Sequence, residues 1–127
     1  MARILIIDDD GIAREILRDI LKHAGHEAVE AADSEEGVRL FREHPADLVI
    51  TDLFMPQRGG LEVIGELALD YPGVRIIAVT GVSIADRSGI LSLARQCGAL
   101  RTFEKPVHPE ALCRAIAEIL GEGQNRF

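Results

Sequence analysis

Cysteine and aromatic side chains are scarce in this sequence, and their scarcity excludes several classes of protein. The two cysteines, Cys97 and Cys113, lie in apolar helix-like stretches, so we expect buried thiols in a reducing compartment rather than a disulfide framework. With no tryptophan, one tyrosine and four phenylalanines, the chain has few rings with which to hold a flavin. A chain of 127 residues still buries roughly two-thirds of the surface that its unfolded form exposes, so it folds as one domain without a cross-link.

Positive charge and long apolar segments are also lacking. The 14 lysines and arginines are outnumbered by 21 aspartates and glutamates, and the net charge of −7 argues against nucleic acid or an anionic membrane as a direct partner. No apolar run approaches the roughly 18 residues of a membrane span, and the opening MARILIID lacks the features of a signal peptide. We therefore expect a soluble, cytoplasmic protein.

Short aliphatic runs alternate with amphipathic stretches along the chain. The aliphatic runs predict strands at 3–7, 27–31, 47–51, 75–79 and 101–104. The amphipathic stretches predict helices at 12–24, 34–44, 61–70, 86–97 and 109–120. Boundary signals support these helices, because Asp33 and Glu36 fit a capping box, Gly25 follows the first helix and Pro109 opens the last. The pattern amounts to five successive β–α units.

Five β–α units of this kind predict an α/β fold with a parallel sheet. Strands that consist of continuous aliphatic runs are buried on both faces, and the helices between them impose parallel pairing with right-handed crossovers. The prediction is a doubly wound, five-stranded parallel sheet with five helices; if its strand order is 2-1-3-4-5, strands 1, 3, 4 and 5 bring their carboxyl ends to one edge. Ligands of such sheets bind at the carboxyl ends of the strands, near the point where the strand order reverses.

Chemically active side chains lie at or directly after the ends of four of the five predicted strands. In chain order they are Asp8, Asp9 and Asp10, then Thr51 and Asp52, then Thr80, and finally Lys105. Taken singly they have ordinary explanations, since an aspartate after a strand often caps a helix, as Asp10 would, and a Lys-Pro pair often forms a turn. Taken together at one edge of the sheet, they indicate a functional site.

Clustered carboxylates constrain the chemistry of that site. They do not stay ionised side by side without a cation, and all-oxygen ligands suit Mg²⁺ or Mn²⁺, which also bind phosphate oxygens. A carboxylate can act as a nucleophile toward phosphorus, while a lysine and a threonine hydroxyl can bind the phosphoryl oxygens. The residues therefore point to phosphoryl transfer to an aspartate.

Four separate motifs resemble the receiver domain of two-component response regulators. They are ILIIDDD, DLVITDLFMPQRGGLEVI, IIAVTG and GALRTFEKPV, and in order and spacing they cover essentially residues 3 to 120. The resemblance implies a flavodoxin-like fold with strand order 2-1-3-4-5. It also implies a receiver domain at 3–120 and a short polar C-terminal tail at 121–127. Because the tail carries no linker, we expect a stand-alone receiver rather than a fragment of a longer regulator.

The resemblance also assigns roles to individual residues. It implies that Asp52 is the phosphoacceptor, that Thr80 and Lys105 hold the phosphoryl group, and that Asp10 occupies a variable position. The implied ligands of Mg²⁺ (or Mn²⁺) are Asp9 directly, Asp8 through bound water, Asp52, and the backbone carbonyl of Phe54.

A receiver of this kind implies protein partners. The phosphoryl group would come from a histidine kinase or a histidine phosphotransferase, and the receiver would act on a downstream protein by conformational change or pass the group on in a phosphorelay. It would catalyse only its own phosphorylation and dephosphorylation, and would not otherwise be an enzyme. We expect the donor to dock at the start of the first helix, where Ile12 or Ile16 is apolar without being needed by the core.

Two positions depart from the family pattern. Gly81 replaces the alanine that usually follows the threonine, which predicts a looser loop after Thr80. The position of the family's switch aromatic, three residues before Lys105, holds Thr102, and Phe103 lies one position later on the opposite face of the strand. We therefore expect phosphorylation to cause a smaller rearrangement at the face formed by the fourth helix, fifth strand and fifth helix.

Two other classes of protein are weaker alternatives. The DDDG stretch resembles the opening of haloacid-dehalogenase-like phosphatases, with Asp8 as nucleophile, Asp10 as acid/base, and Thr80 and Lys105 as later motifs. That enzyme needs another acidic pair at the end of a late strand, and none follows Lys105 in the sequence. A non-catalytic flavodoxin-like module needs a phosphate-binding loop after the first strand, and the sequence has none there.

Overall fold

The computed structural model describes residues 2–55, 59–81 and 84–121, with the backbone alone at 84–88. Its strands are β1 (Arg3–Ile7), β2 (Glu27–Ala31), β3 (Leu48–Asp52), β4 (Ile76–Thr80) and β5 (Arg101–Glu104). Its helices are α1 (Gly11–His23), α2 (Ser34–Glu43), α3 (Gly60–Asp70), α4 (Ile84–Cys97) and α5 (Pro109–Leu120). Within the described ranges, none of the helices has the length and apolar character needed to cross a lipid bilayer. The predicted polar tail lies outside the described residues beyond Gly121.

The five strands form one parallel sheet in the predicted order β2-β1-β3-β4-β5. Successive residues of β1 enter two different apolar clusters, one on each face of the sheet. Leu5 and Ile7 pack in the cluster covered by α2, α3 and α4, whereas Ile4 and Ile6 pack in the cluster covered by α1 and α5. Both faces of the sheet are covered, as continuous aliphatic strands require.

Strands β3 and β4 extend one residue beyond the ends predicted for them. The sequence placed their last residues just before Asp52 and Thr80, but the ladder continues through both. The N–H of Leu53 also donates to the carbonyl of Val79 over 3.0 Å. Hydropathy misses this extension because backbone groups make the ladder, and polar residues supply those groups as well as apolar ones do. Asp52 and Thr80 are consequently fixed by the sheet itself.

Helix boundaries follow the predicted signals to within two residues. The Asp10 carboxylate caps α1 by accepting a hydrogen bond from the N–H of Ile12 over 2.9 Å. At α2, Asp33 accepts from the N–H of Glu36, and the Glu36 carboxylate accepts from the N–H of Ala32, each over 2.8 Å. Asp10 is therefore a helix cap, which is the ordinary explanation offered for it above.

The prediction of two buried thiols is wrong. Cys97 and Cys113 are both unpaired, as expected, but each is only half-buried. Cys97 lies at the edge of the cluster under α4, and Cys113 lines a shallow depression with Ile20 of α1. An apolar sequence context did not distinguish these positions from the core, because the flank of an amphipathic helix also carries small apolar residues.

Strand β5 presents Thr102 and Phe103 to opposite faces of the sheet, as predicted. Phe103 lies in register with Val79 and packs against the cluster under α1 and α5. Thr102 lies in register with Ala78, which belongs to the other cluster. The aromatic ring of Phe103 therefore lies on the face of the sheet opposite to α4.

Candidate functional site

Three carboxylates meet at the edge of the sheet where the strands have their carboxyl ends, here called the rim. Asp8 and Asp9 follow β1 and Asp52 ends β3, and one oxygen of each lies within 4.8 Å of the others; we call these three residues the acidic cluster. Asp8 and Asp52 are 1% and 6% exposed, whereas Asp9 is exposed to solvent. Asp10, occupied as the cap of α1, is not part of the cluster. The structure thus brings together three of the four aspartates expected at this edge.

Lys105 brings one positive charge to the two buried carboxylates. Its Nζ lies 2.8 Å from Asp8 Oδ2 and 3.3 Å from Asp52 Oδ2. Its backbone N–H donates to the carbonyl of Thr80 over 2.8 Å, which holds the lysine beside the end of β4. Backbone pairing between neighbouring segments therefore fixes the cation where the carboxylates converge.

The positive charge of Lys105 does not fully compensate for the burial of the carboxylates in the cluster. Burial, and then the charge of Asp8, raise the pKa of Asp52 above its ordinary value, while Lys105 and the N–H of Phe54 partly oppose that shift. Burial by itself lowers the pKa of Lys105, but the carboxylates of Asp8 and Asp52 outweigh it, and the net shift is upward. An additional cation at the rim would therefore favour the ionised form of Asp52.

The donor atoms of the cluster fit a hard divalent cation. Asp8 Oδ2 is buried, and its one polar partner among the described residues is the ammonium of Lys105 at 2.8 Å. A carboxylate oxygen has room for more than one partner, and a metal ion or a metal-bound water would supply the second. Oxygens from three carboxylates are the ligands that suit Mg²⁺ and Mn²⁺.

Two further predicted site residues lie close to Asp52. Phe54 donates its backbone N–H to Asp52 Oδ1 over 3.2 Å, which brings the backbone of residue 54 beside that carboxylate. Thr80 is fully buried and ends β4, the strand next to β3. Both positions therefore belong to the rim, while the metal contact of the Phe54 carbonyl and the phosphoryl contact of the Thr80 hydroxyl stay predictions.

Sequence reasoning missed the structural reason for Gly60. A Cβ atom here would overlap the carbonyl oxygen of Asp52 and lie 2.8 Å from the Cα of Leu53. The N–H of Gly60 also donates to the Leu53 carbonyl over 3.0 Å. Helix α3 can begin against the end of β3 only because this residue has no side chain. The paired glycines of the RGGL stretch were the only signal, and they do not show which of the two makes the contact.

Arg14 is the second residue that sequence reasoning missed. Its Nη1 donates to the backbone carbonyl of Asp8 over 2.6 Å, and its Nε donates to Glu30 Oε1 over 3.2 Å. Helical periodicity assigns Arg14 to a polar face of α1 and carries no signal of a contact with the turn that precedes the helix.

The geometry does not suit the phosphatase alternative. That mechanism requires Asp8 as nucleophile and Asp10 as a nearby acid/base. The Asp10 carboxylate is instead bound to backbone N–H groups at the start of α1, and the carboxylates grouped with Asp8 are those of Asp9 and Asp52.

Comparison with known proteins identifies the family. The model of the response regulator receiver domain matches residues 4–117, nearly the whole of the described chain. The chain belongs to this family, the receiver domains of two-component response regulators. The resemblance inferred from the four motifs is confirmed, and the phosphatase alternative is not favoured.

Individual relatives agree with the family assignment. The chemotaxis protein CheY of Halobacterium salinarum is 30% identical over 118 residues, which cover 93% of this chain and 96% of the relative. A response regulator receiver domain protein from Clostridium thermocellum has a TM-score of 0.88 at 32% identity, with 98% of each chain covered. Response regulator TrrA from Thermotoga maritima, in complex with Mg²⁺-BeF, has a TM-score of 0.83 at 33% identity over 94% of this chain and 99% of that one. These similarities confirm the flavodoxin-like fold.

Proposed function

We propose that this receiver accepts a phosphoryl group on Asp52 in a Mg²⁺-dependent reaction. The observation that carries the proposal is the grouping of the buried Asp52 carboxylate with Asp8, Asp9 and the ammonium of Lys105. The match of the DLFMP stretch to the family motif favours Asp52 over Asp8 as the acceptor.

The donor in this proposal is a phosphohistidine of a histidine kinase or histidine phosphotransferase. An oxygen of Asp52 attacks phosphorus in line, a P–O bond forms, and the P–N bond breaks with its electron pair remaining on the donor imidazole. Lys105 binds one oxygen of the transferred group, and the hydroxyl of Thr80 donates to another. Apart from this reaction and its own dephosphorylation, the receiver catalyses nothing.

The acidic cluster would hold the metal ion. Asp9 and Asp52 would bind Mg²⁺ (or Mn²⁺) directly, together with the carbonyl of Phe54, and Asp8 would bind through a metal-bound water. When bound, the ion neutralises the carboxylates and stabilises the charge on the transferring group. The similarity to TrrA, whose structure is a complex with Mg²⁺-BeF, supports this assignment.

The donor would dock beside α1. Ile12 and Ile16 are 70% and 53% exposed, so the core does not need them, and both line a groove that also contains Lys105 and Pro106. An apolar groove that opens at the lysine of the site would place a histidine donor next to Asp52. The receiver would then signal to a downstream protein by conformational change or by phosphorelay. Because position 102 holds a threonine and not an aromatic residue, phosphorelay or recognition of the rim by the partner is favoured.

Acetyl phosphate labelling tests the phosphoacceptor. In the presence of Mg²⁺ the wild-type protein should gain one hydroxylamine-sensitive phosphoryl group, detectable by intact mass, and Asp52→Asn should gain none because the nucleophile is lost. Asp19→Asn is the matched control, since it makes the same change at a side chain of α1 that is 67% exposed, and it should label normally. Label that persists on Asp8 in the Asp52→Asn variant would contradict the proposal.

A further inference from the structure

The turn between β1 and α1 carries two of the proposed metal ligands, and they are restrained very differently. The Asp8 carboxylate accepts from the N–H of Asp10 over 2.9 Å and is paired with Lys105. The Asp9 carboxylate is exposed and makes no hydrogen bond or ion pair with any described residue. The position of Asp9 is therefore decided by the backbone of the turn.

Arg14 holds that backbone from one helical turn away. Its Nη1 donates to the carbonyl of Asp8 over 2.6 Å, and this carbonyl belongs to the peptide group that joins Asp8 to Asp9. Long side chains on a helix point back toward its N-terminus, which is why an arginine at this position reaches the turn. A hydrogen bond from a charged donor is roughly twice as strong as one between neutral groups.

Glu30 of β2 holds the side chain of Arg14 in place. Its Oε1 accepts from Arg14 Nε over 3.2 Å, and its Oε2 accepts from Arg18 Nη1 over 3.1 Å. The side chains of Arg14 and Glu30 are only 20% and 30% exposed, so water screens this pair less than it would an exposed one. A continuous path of hydrogen bonds thus runs from β2 through Arg14 to the turn that carries Asp9.

We propose that Arg14 is a positioning residue, which holds the peptide between Asp8 and Asp9 and thereby places the Asp9 carboxylate for a divalent cation. The inference rests on the proposed function, in which Asp9 is a direct metal ligand. Both hydrogen bonds need the forked guanidinium, and a lysine ammonium does not reproduce that geometry. Loss of groups that orient metal ligands typically weakens metal affinity by about 10–100-fold.

The direction in which Mg²⁺ affinity changes when Arg14 is replaced distinguishes a positioning role from a purely electrostatic one. Arg14 is a cation near a proposed cation site, so by charge alone its removal would tighten Mg²⁺ binding. Loss of positioning would weaken it. Arg14→Met removes both the charge and the fork, whereas Arg14→Lys keeps the charge, and we expect both to raise the Kd for Mg²⁺ by about tenfold.

Calorimetric titration of the metal-free protein with Mg²⁺ provides the first measurement. The matched control is Arg18→Met, which removes a positive charge from the same helix and the same Glu30 carboxylate but no bond to the turn. Because its charge lies further from the rim, we expect it to change the Kd by less than about twofold.

Amide hydrogen exchange provides a second measurement that needs no metal. The N–H of Asp10 donates to Asp8 within the turn, and its exchange in the metal-free protein should be faster in both Arg14 variants and unchanged in Arg18→Met. Mg²⁺ binding by Arg14→Met that equals or exceeds that of the wild type would overturn the positioning role.

Asp9→Ala distinguishes failure of the positioning role from failure of the proposed function. If Asp9→Ala binds Mg²⁺ weakly while both Arg14 variants bind it like the wild type, only the role of Arg14 is wrong. If the wild-type protein does not bind Mg²⁺, both proposals are wrong.

Discussion

Among the described residues, two sites where one cation lies against two carboxylates differ chiefly in burial. At the rim, Lys105 lies 2.8 and 3.3 Å from two carboxylates of the acidic cluster whose side chains are 2% and 6% exposed. Between α2 and α3, Arg42 lies 2.6 Å from Glu66 and 2.8 Å from Asp70, whose side chains are 29% and 38% exposed. In both places one cation lies against two carboxylates, but only the carboxylates at the rim are shielded from solvent.

The difference distinguishes a functional arrangement of charge from an ordinary one. Exposed ion pairs contribute about 0–1 kcal/mol to stability, because water screens the charges and ordering the side chains costs entropy. Buried carboxylates lose their hydration, and the raised pKa of Asp52 shows that one lysine does not compensate fully. The buried carboxylates of the rim therefore lower the stability of the fold, as is expected of charged groups that are retained for a function.

The largest expected effect is the loss of the buried cation. Lys105→Met leaves two buried carboxylates without their partner, and in EDTA it should lower the free energy of unfolding by about 3 kcal/mol; this is the lower end of the loss for a buried pair, because the lysine is 26% exposed. Urea denaturation measures the change, and saturating Mg²⁺ should restore part of it. Arg42→Met should cost less than about 1 kcal/mol. Equal losses in the two variants would remove the distinction between the two sites.

A second expected effect concerns how closely α3 approaches the rim. Gly60→Ala forces a Cβ into the backbone of Asp52 and should lower the free energy of unfolding by about 1–3 kcal/mol. Gly65→Ala is the control in the same helix, since no heavy atom lies within 4 Å of its added Cβ, and it should stabilise the protein by up to about 1 kcal/mol. If urea unfolding shows that alanine is tolerated equally at both positions, the close approach is not needed.

The smallest expected effect is an increase in the free energy of unfolding, whereas Lys105→Met and Gly60→Ala should lower it. Because the pKa of Asp52 is raised in the folded state, its contribution to stability is present at low pH and is lost as the pH rises through the folded pKa. Asp52→Asn removes this loss, so at pH 7 it should raise the free energy of unfolding by more than about 0.5 kcal/mol, and the gain should shrink as the pH falls toward the ordinary carboxyl range. Urea denaturation at several pH values measures it. Asp19→Asn should change stability by less than about 0.5 kcal/mol, and an equal gain there would exclude a special role of the rim.

Much of the fold was predictable because its signals are local. The aliphatic strands permit burial on both faces only in a parallel sheet covered by helices, and the Asp33 and Pro109 signals placed two helix starts correctly. The ends of β3 and β4 were missed, since backbone pairing carried Asp52 and Thr80 into the ladder without any change in hydropathy.

The members of the site were predictable because parallel strands carry their carboxyl ends to one edge. That argument alone was enough to bring Asp8, Asp9, Asp52 and Lys105 together. It did not reveal Arg14, because a contact between one side chain and one backbone carbonyl leaves no periodicity in the sequence.

The acidic cluster and its lysine also impose a condition of charge balance. Three ionised carboxylates and one ammonium leave two formal negative charges, the amount that one divalent cation neutralises. Under the proposed function, the pocket with its ion bound is formally neutral at rest, and replacing one carboxylate charge by a phosphoryl dianion makes it more negative by about one unit. A partner within the screening length of about 8 Å could then sense phosphorylation through the local electrostatic potential. This readout needs no movement of an aromatic side chain at position 102.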